Sequence, residues 1–484
     1  MRREPSHRPT AHPRCQDATK ATEVPRGIVE ATRGSKPFLG GALPACVRPF
    51  TWARHPVLGW PGTWPTQLSY PRRSNSCKHP RSVNALPTVR LKPGHVQPVW
   101  AGHPWVYAQA IERMDGATRG DEVKVLDPRG NFLGRGFYSA GSAIPVRLLV
   151  RDETTPIDTA FFRARLERAR AARAELGLGV DDQTTGYRLV HAEGDFLPGL
   201  IVDRFGDVLA VQFLTFGMKA REAMVLEALG HVMKPRAIVD RTPASSAKAE
   251  HFVPASGVVR GADVDRFEFT ERGIRWSIPL ETGQKTGFYF DQRELRGRVE
   301  ALARAGAGTK RVRVLDAYSY VGAFGLAAAR AGADVTCVDE SALAIEIGAE
   351  NARANGLADR IRFERTDARR SMQDAHATFD VTIVDPSRLA PTRSAREQAL
   401  VMYSKLAELG CRATKPGGLV VLCSCSAAVD LGALTRALAT GAVRANVSAL
   451  VVERAFQGGD HPVPAAFGEG LYLKALMVRV EPRG

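Results

Sequence analysis

The sequence predicts an α/β chain of several domains, in which a small β-rich module and a middle α+β domain precede a seven-stranded sheet covered by helices. Three observations carry this expectation. With 484 residues, 44% of them hydrophobic, the chain can bury more than one core. Short apolar runs separated by Gly, Pro and Asp follow one another before residue 155, whereas strand and helix signals alternate after Arg311. No stretch of about 18 uncharged apolar residues occurs, so no membrane-crossing helix is predicted.

The chain opens with a leader, residues 1–85. It carries 14 of the 67 Lys and Arg and 4 of the 51 Asp and Glu, hence most of the net charge of +16. It also holds 12 of the 30 prolines and no sustained period of 2 or 3.6, so it is expected to be largely without order. The seven cysteines include no C-x-x-C pair. Neither a disulfide framework nor a thiolate metal site is predicted, no metal is expected, and a reducing cytoplasm is the expected setting.

Residues 86–155 form the first folded module. In "GDEVKVLDPRGNFLGRGFYS", Val123 and Val125 alternate with polar neighbours, Asp127 to Gly130 turn the chain, and Phe132 and Leu133 begin the return. The segments "HPWVY" (His103 to Tyr107) and "LGRGFYS" (Leu133 to Ser139) resemble a PUA domain, which implies RNA binding. For Trp105 and Tyr107 themselves, packing is the expected role ahead of base stacking.

Residues 156–269 read as a middle α+β domain. A helix over "DTAFFRARLERARAARAELGL" precedes two strand signals, in "YRLVHAEGDFLPGLIVDRFGDVLAVQF", and an amphipathic helix. Glu193, Asp195 and Asp203 each stand near Gly or Pro and are expected to be ordinary turn carboxylates rather than a metal cluster.

In residues 270–484, alternating strand and helix signals predict a Rossmann-like parallel sheet with helices on both faces, so ligand-binding residues are sought just after each strand. The first strand ends at Asp316 and is followed by "YSYVGAFG", where Gly322 and Gly325 permit close approach to the backbone. There is no G-x-G-x-x-G fingerprint. Asp339, at the second strand end, can accept from ribose hydroxyls, and Asp367, after the third, can meet an adenine amino group. Three successive strand-end carboxylates point to an adenosine cofactor. In "LVVLCSCS" Cys423 and Cys425 share a strand face, with Cys425 nearer the carboxyl end.

The region resembles the class I S-adenosylmethionine-dependent methyltransferases. With the PUA-like module, "GQKTGFYFDQR" (Gly283 to Arg293), "DHPV" and "EGLYLK", the chain from Leu86 to Val480 is similar to the bacterial 23S rRNA cytosine-C5 methyltransferases. The resemblance implies that Asp316, Tyr318 and Gly322 cradle the methionine part of S-adenosylmethionine, that Asp339 holds the ribose and that Asp367 holds the adenine. It places Lys285, Asp291 and Arg293 at the cofactor pocket, where a structural ion network is an equal alternative for all three. It makes Cys425 the nucleophile for carbon 6 and Asp385 the residue that holds the base, with Cys423 packing behind. RNA, most specifically 23S rRNA, is the implied partner, and no membrane partner is implied. One departure stands out: Asp385-Pro386-Ser387-Arg388 replaces the family's Asp-Pro-Pro-Lys. It keeps open the alternatives of an RNA- and cofactor-binding protein without turnover and of a different target atom.

Overall fold

The structure, a computed structural model, describes residues 86–282, 286–306 and 310–484. The leader and Lys285, with the expectations attached to them, lie outside the described residues.

Alternation of apolar and polar residues first yields β1 (Thr88–Leu91), α1 (Val96–Trp100), β2 (Trp105–Val106), β3 (Ile111–Asp115), β4 (Glu122–Leu126), β5 (Phe132–Tyr138) and β6 (Val146–Val150). These strands form one sheet in the order β2-β6-β5-β4-β1-β3, packed on Val89, Leu91, Val106, Val123, Val125 and Val146. The β4–β5 turn is locked by Asp127, whose carboxylate accepts from the backbone N–H of Arg129 and of Asn131, each at 2.8 Å.

Helix α2 (Thr159–Glu175) starts at Asp158, whose carboxylate accepts from the Phe161 N–H at 2.9 Å. It is followed by β7 (Gly186–His191), β8 (Leu200–Phe205), β9 (Val208–Phe213), α3 (Phe216–Lys219), α4 (Glu222–Met233), β10 (Ala237–Asp240), α5 (Ala244–Ala249) and β11 (Gly257–Gly261). The sheet order is β11-β10-β9-β8-β7. Three strands, not the expected two, precede α3, because a tight turn at Gly206 folds β8 back on β9.

Next comes a hairpin of β12 (Arg266–Glu271) and β13 (Ile274–Pro279), so the expected boundary after residue 269 falls inside β12. The physical reason is a shared core. Phe267, Phe269, Trp276 and Ile278 pack with Phe205 of β8 and also with Val299 and Phe324 of the following domain.

That domain contains α6 (Arg293–Ala305), β14 (Arg313–Ala317), α7 (Ala323–Arg330), β15 (Asp334–Asp339), α8 (Ala342–Ala354), β16 (Ile361–Arg365), α9 (Ala368–Asp374), β17 (Phe379–Val384), α10 (Arg396–Ala413), β18 (Thr414–Ser424), α11 (Leu431–Arg444), β19 (Val447–Phe456) and β20 (Lys474–Pro482). Its seven strands run in the order β16-β15-β14-β17-β18-β20-β19, and β20 alone runs antiparallel to β18. Continuous apolar strands suit burial on both faces. Val314, Ile383, Val421 and Cys423 face α6, α7 and α8, while Leu315, Val384, Val420 and Leu422 face α9, α10 and α11. Each such Val, Leu or Ile contributes about 1.5–3 kcal/mol relative to exposure.

Candidate active site

The parallel register brings the carboxyl ends of four strands side by side. Ala317 of β14 lies opposite Val338 of β15 and Val384 of β17, and Val384 lies opposite Leu422 of β18. Asp385 and Cys425 are therefore the first or nearly the first residues beyond two adjacent strands. The fields of Asp385, Cys425, Asp316 and Asp291 all reach Cys423, whose thiol burial pushes well up out of the reactive range. Cys423 is fully buried, whereas Cys425 is partly exposed.

The turn after β14 is held by carboxylates. Asp316 accepts from the Gly325 N–H at 2.9 Å, and Asp339 accepts from the N–H of Tyr320 and of Ser341, each at 2.9 Å. Tyr318 and Tyr320 adopt left-handed backbone angles, with φ of 65° and 51°. Such residues are strained and recur at ligand sites. At Gly322, with φ of 76°, a Cβ would come within 2.7 Å of the Phe363 ring, so only glycine suits the position.

Burial, reinforced by the negative charges of Asp385 and Asp339, raises Asp316 to about 7. Neither Asp316 nor Asp339 is in an ion pair among the described residues. The Ser319 hydroxyl, buried in the same turn, has no hydrogen-bond partner within reach apart from the neighbouring Cys337 thiol. This acidic, glycine-bent turn with a hydroxyl to spare fits a cationic ligand such as S-adenosylmethionine.

Asp367 lies two residues past β16, where it caps α9 by accepting from the Arg369 N–H at 2.7 Å and pairs with the Arg369 guanidinium at 2.6 Å. That hydrogen bond holds its carboxyl below the usual range. Burial raises Tyr318 to about 12, and the charges of Arg369, Asp367 and Glu340 all act on it. Tyr318, Asp339 and Asp367 thus stand at or just beyond the carboxyl ends of β14, β15 and β16.

The segment before α6 closes the other side. The Tyr320 hydroxyl donates to the Gly287 carbonyl at 3.0 Å, and the Tyr289 and Tyr320 rings meet edge to face at 5.5 Å. The Gln292 amide donates to Asp385 at 2.8 Å, and Asp291 accepts from the Tyr472 hydroxyl at 2.6 Å. Gln292 was missed from sequence, although it sits within the quoted segment. Arg293 turns away into a buried ion network with Asp460 at 2.6 Å and Glu271 at 3.7 Å.

Lys474 was also missed. It is only 3% exposed, and its ammonium donates to the Ser426 carbonyl at 2.8 Å, across the ladder from Ser424. Burial lowers it to about 8, against the opposing pull of Cys425 and Asp430. A lone lysine inside the apolar run "LYLKALMV" was the available signal. Ser426 additionally accepts from the Ala390 N–H at 3.1 Å, so the turn carrying Cys425 is fastened on two sides. Ser387 and Arg388 are exposed.

Asp195 and Asp203 are not solvated turn carboxylates. Arg173 grips Asp195 through two bonds, of 2.5 and 2.8 Å, and Arg188 grips Asp203, which is fully buried within β8. Tertiary contacts supply these arginines from elsewhere in the chain, which local sequence reading could not foresee. Glu193 accepts from the Trp105 indole at 2.7 Å, and Tyr107 donates to Glu469 at 2.7 Å. Both aromatics are packed, but at the junction of the domains rather than in the core of the first sheet. Among the described residues no group of His, Cys, Asp and Glu could hold a metal ion, and no helix is long and apolar enough to cross a membrane.

Comparison with known proteins agrees with this geometry. Residues 89–151 match the PUA-like domain family, and residues 249–479 match the S-adenosylmethionine-dependent methyltransferase family. A solved Streptococcus mutans protein assigned as a SAM-dependent methyltransferase shares the fold, with a TM-score of 0.69 and 19% identity over 81% of this chain and 100% of its own. A methyltransferase-fold structure complexed with SAH matches with a TM-score of 0.70, 19% identity and the same coverage. The ribosomal RNA large subunit methyltransferase I of Shewanella denitrificans is 36% identical over 81% of this chain and 99% of its own length. That of Klebsiella pneumoniae is 33% identical over 82% and 98%. A relationship of this extent, joined to the PUA-like module and the acidic strand-end site, shows that the chain belongs to the ribosomal RNA large subunit methyltransferase I family of S-adenosylmethionine-dependent methyltransferases.

Proposed function

We propose that this protein methylates carbon 5 of a cytosine in large-subunit ribosomal RNA, 23S rRNA in bacteria, with Cys425 as the covalent nucleophile. The observation that carries the reading is the partly exposed Cys425 beside Asp385 at adjacent strand ends, on the same edge of the sheet as Tyr318 and Asp339. S-adenosylmethionine supplies an electrophilic methyl group when bound, and Asp316, Tyr318, Gly322, Asp339 and Asp367 are the residues that would hold it.

Carbon 5 of cytosine is nucleophilic only after carbon 6 is saturated. The Cys425 thiolate adds to carbon 6, and the electron pair of the 5,6 double bond becomes available at carbon 5. Asp385, in its acid form, donates to N3 and takes up the charge that develops on the ring, while the Gln292 amide fixes the orientation of the carboxyl group. Once carbon 5 carries the methyl group, transfer of its proton to a general base re-forms the double bond and expels the Cys425 thiolate. Lys474 supports that thiolate electrostatically and holds its turn in place. Asp291 and Tyr472 buttress the wall of the pocket.

Trapping with RNA that contains 5-fluorocytosine tests the scheme, because fluorine replaces the proton whose loss must precede release. A denaturation-resistant adduct is expected only with S-adenosylmethionine present. Cys425→Ala should abolish adduct and turnover, whereas Cys423→Ala should keep both at a stability cost of about 1 kcal/mol. Methylation persisting in Cys425→Ala would sink covalent catalysis and reopen the choice of target atom. Wild-type protein that binds RNA and cofactor yet neither traps nor methylates would favour the reading without turnover, for which the Ser387-Arg388 departure is the motive.

A further inference from the structure

Phe196 combines features that the fold alone does not explain. It is a large aromatic side chain, 42% exposed, held at φ 59° and ψ 31°. A left-handed backbone is costly for a residue of this kind, and glycine would adopt it freely. The Arg168 and Arg165 guanidiniums lie over its ring, 4.5 and 5.3 Å from the centroid. Both come from α2, three residues apart and so on one face of the helix. Among the described residues neither arginine is in an ion pair; two like charges converge on one ring, and the more distant Asp152 carboxylate acts on Arg165. Burial lowers the Arg165 guanidinium and the Arg168 charge adds to this, with Asp152 opposing.

Beside the ring opens a cavity of about 470 Å³ on which three domains converge. Gly102, Pro104 and Leu148 come from the PUA-like module, Arg165 and Phe196 from the middle domain, and Pro464 from the loop that follows Asp460. The carboxylates on this wall accept hydrogen bonds from protein groups, which keep Asp152 ionised near Arg165. Asp152 accepts from the N–H of Thr154 and Thr155, and Glu193 accepts from the Trp105 indole. An exposed ring flanked by two guanidiniums is the chemistry that takes an unstacked base on its face and a phosphate at its edge. Within duplex RNA the base faces are stacked on one another and closed to such a ring.

We infer that Phe196, Arg165 and Arg168 form a seat for one unstacked nucleotide of single-stranded RNA, outside the catalytic pocket and against the PUA-like module. The inference rests on the reading of RNA as substrate and adds to it a requirement for a single-stranded segment flanking the target.

Fluorescence anisotropy with a labelled single-stranded RNA oligonucleotide, and with the same strand annealed to its complement, tests it. Phe196→Ala should lower affinity for the single strand about tenfold and leave duplex affinity unchanged. Phe196→Trp should retain wild-type affinity. Phe196→Gly, which suits the backbone, should fold and lose affinity as Phe196→Ala does. Arg168→Gln should lower the slope of log affinity against log salt by about 0.7. Wild-type affinity in Phe196→Ala and Phe196→Gly would overturn the seat and leave the proposed activity standing. Failure of the wild-type protein to bind either RNA would overturn the seat and the RNA-directed reading together.

Discussion

Two clusters of carboxylates, one buried and one partly buried, lie on either side of the Gly287–Arg293 segment, and they behave in opposite ways. In the junction around Asp460, every acid meets a base. Asp460 accepts from Arg293 at 2.6 Å, from the Arg188 backbone N–H at 2.9 Å and from His461 at 2.9 Å, while Asp195 and Asp203 are gripped by Arg173 and Arg188. Burial works against the Asp460 charge, but His461 and Arg293 outweigh it and hold the carboxyl well below its usual range. At the strand ends, Asp316 and Asp339 lean on backbone N–H groups and, among the described residues, on no guanidinium. There, burial and mutual repulsion raise Asp316 to about 7. Counting acidic residues does not separate the two clusters, but the presence or absence of compensating cations among the described residues does. The junction pairs its acids with bases, although Arg293 Nε and Nη1 make no hydrogen bond among the described residues, and the strand-end site is under-compensated there and suited to a cation.

The contrast can be broken most forcefully at the junction. Asp460→Asn should leave Arg293 buried without its main counter-charge and cost about 3–5 kcal/mol, read as a large fall in the urea midpoint. A stability within about 1 kcal/mol of wild type would show that the junction tolerates an uncompensated cation, and the distinction would fail.

At the strand ends the loss should appear in binding instead. Asp339→Asn, which keeps an acceptor for the Tyr320 and Ser341 N–H groups, should weaken S-adenosylmethionine by about 1.5–3 kcal/mol in calorimetry and hardly alter stability. Unchanged affinity would remove Asp339 from the cofactor site.

The smallest effect sharpens the comparison through pH. The Asp316 carboxyl ionises near 3.8 when unfolded and at about 7 in the fold. Between these values the folded protein binds more protons than the unfolded one, so the contribution of Asp316 to stability declines as pH rises through that window. Asp316→Asn should lack this decline and gain a few kcal/mol at most over wild type at pH 8 without cofactor. Identical pH profiles of the two proteins would mean that Asp316 is not uncompensated after all.

Much of the architecture was legible along the chain because it depends on local period. The β14 to β20 sheet follows from apolar runs whose alternate residues face two helical layers, as Val421 and Leu422 do. The positions of Asp385 and Cys425 just beyond adjacent strands follow from the same periodicity. The third strand of the middle sheet was not read from the sequence, and the β12–β13 hairpin spans residue 269, because a tight turn and a shared core interrupt that logic.

What sequence could decide about this protein is what repeats at short range: which segments are strands, which residues stand at their ends, and where the charge of the chain is concentrated. Tertiary structure decided which charges are neutralised. Asp195 and Asp339 look alike in sequence, as carboxylates next to a turn, yet one is bound by Arg173 from α2 and the other faces the mouth of the sheet. Lys474 and Gln292 gained their places beside Cys425 and Asp385 in the same way, one across an antiparallel ladder and the other from a segment 93 residues earlier. Electrostatic energy depends on distance through space and on burial, and neither quantity is a function of separation along the chain.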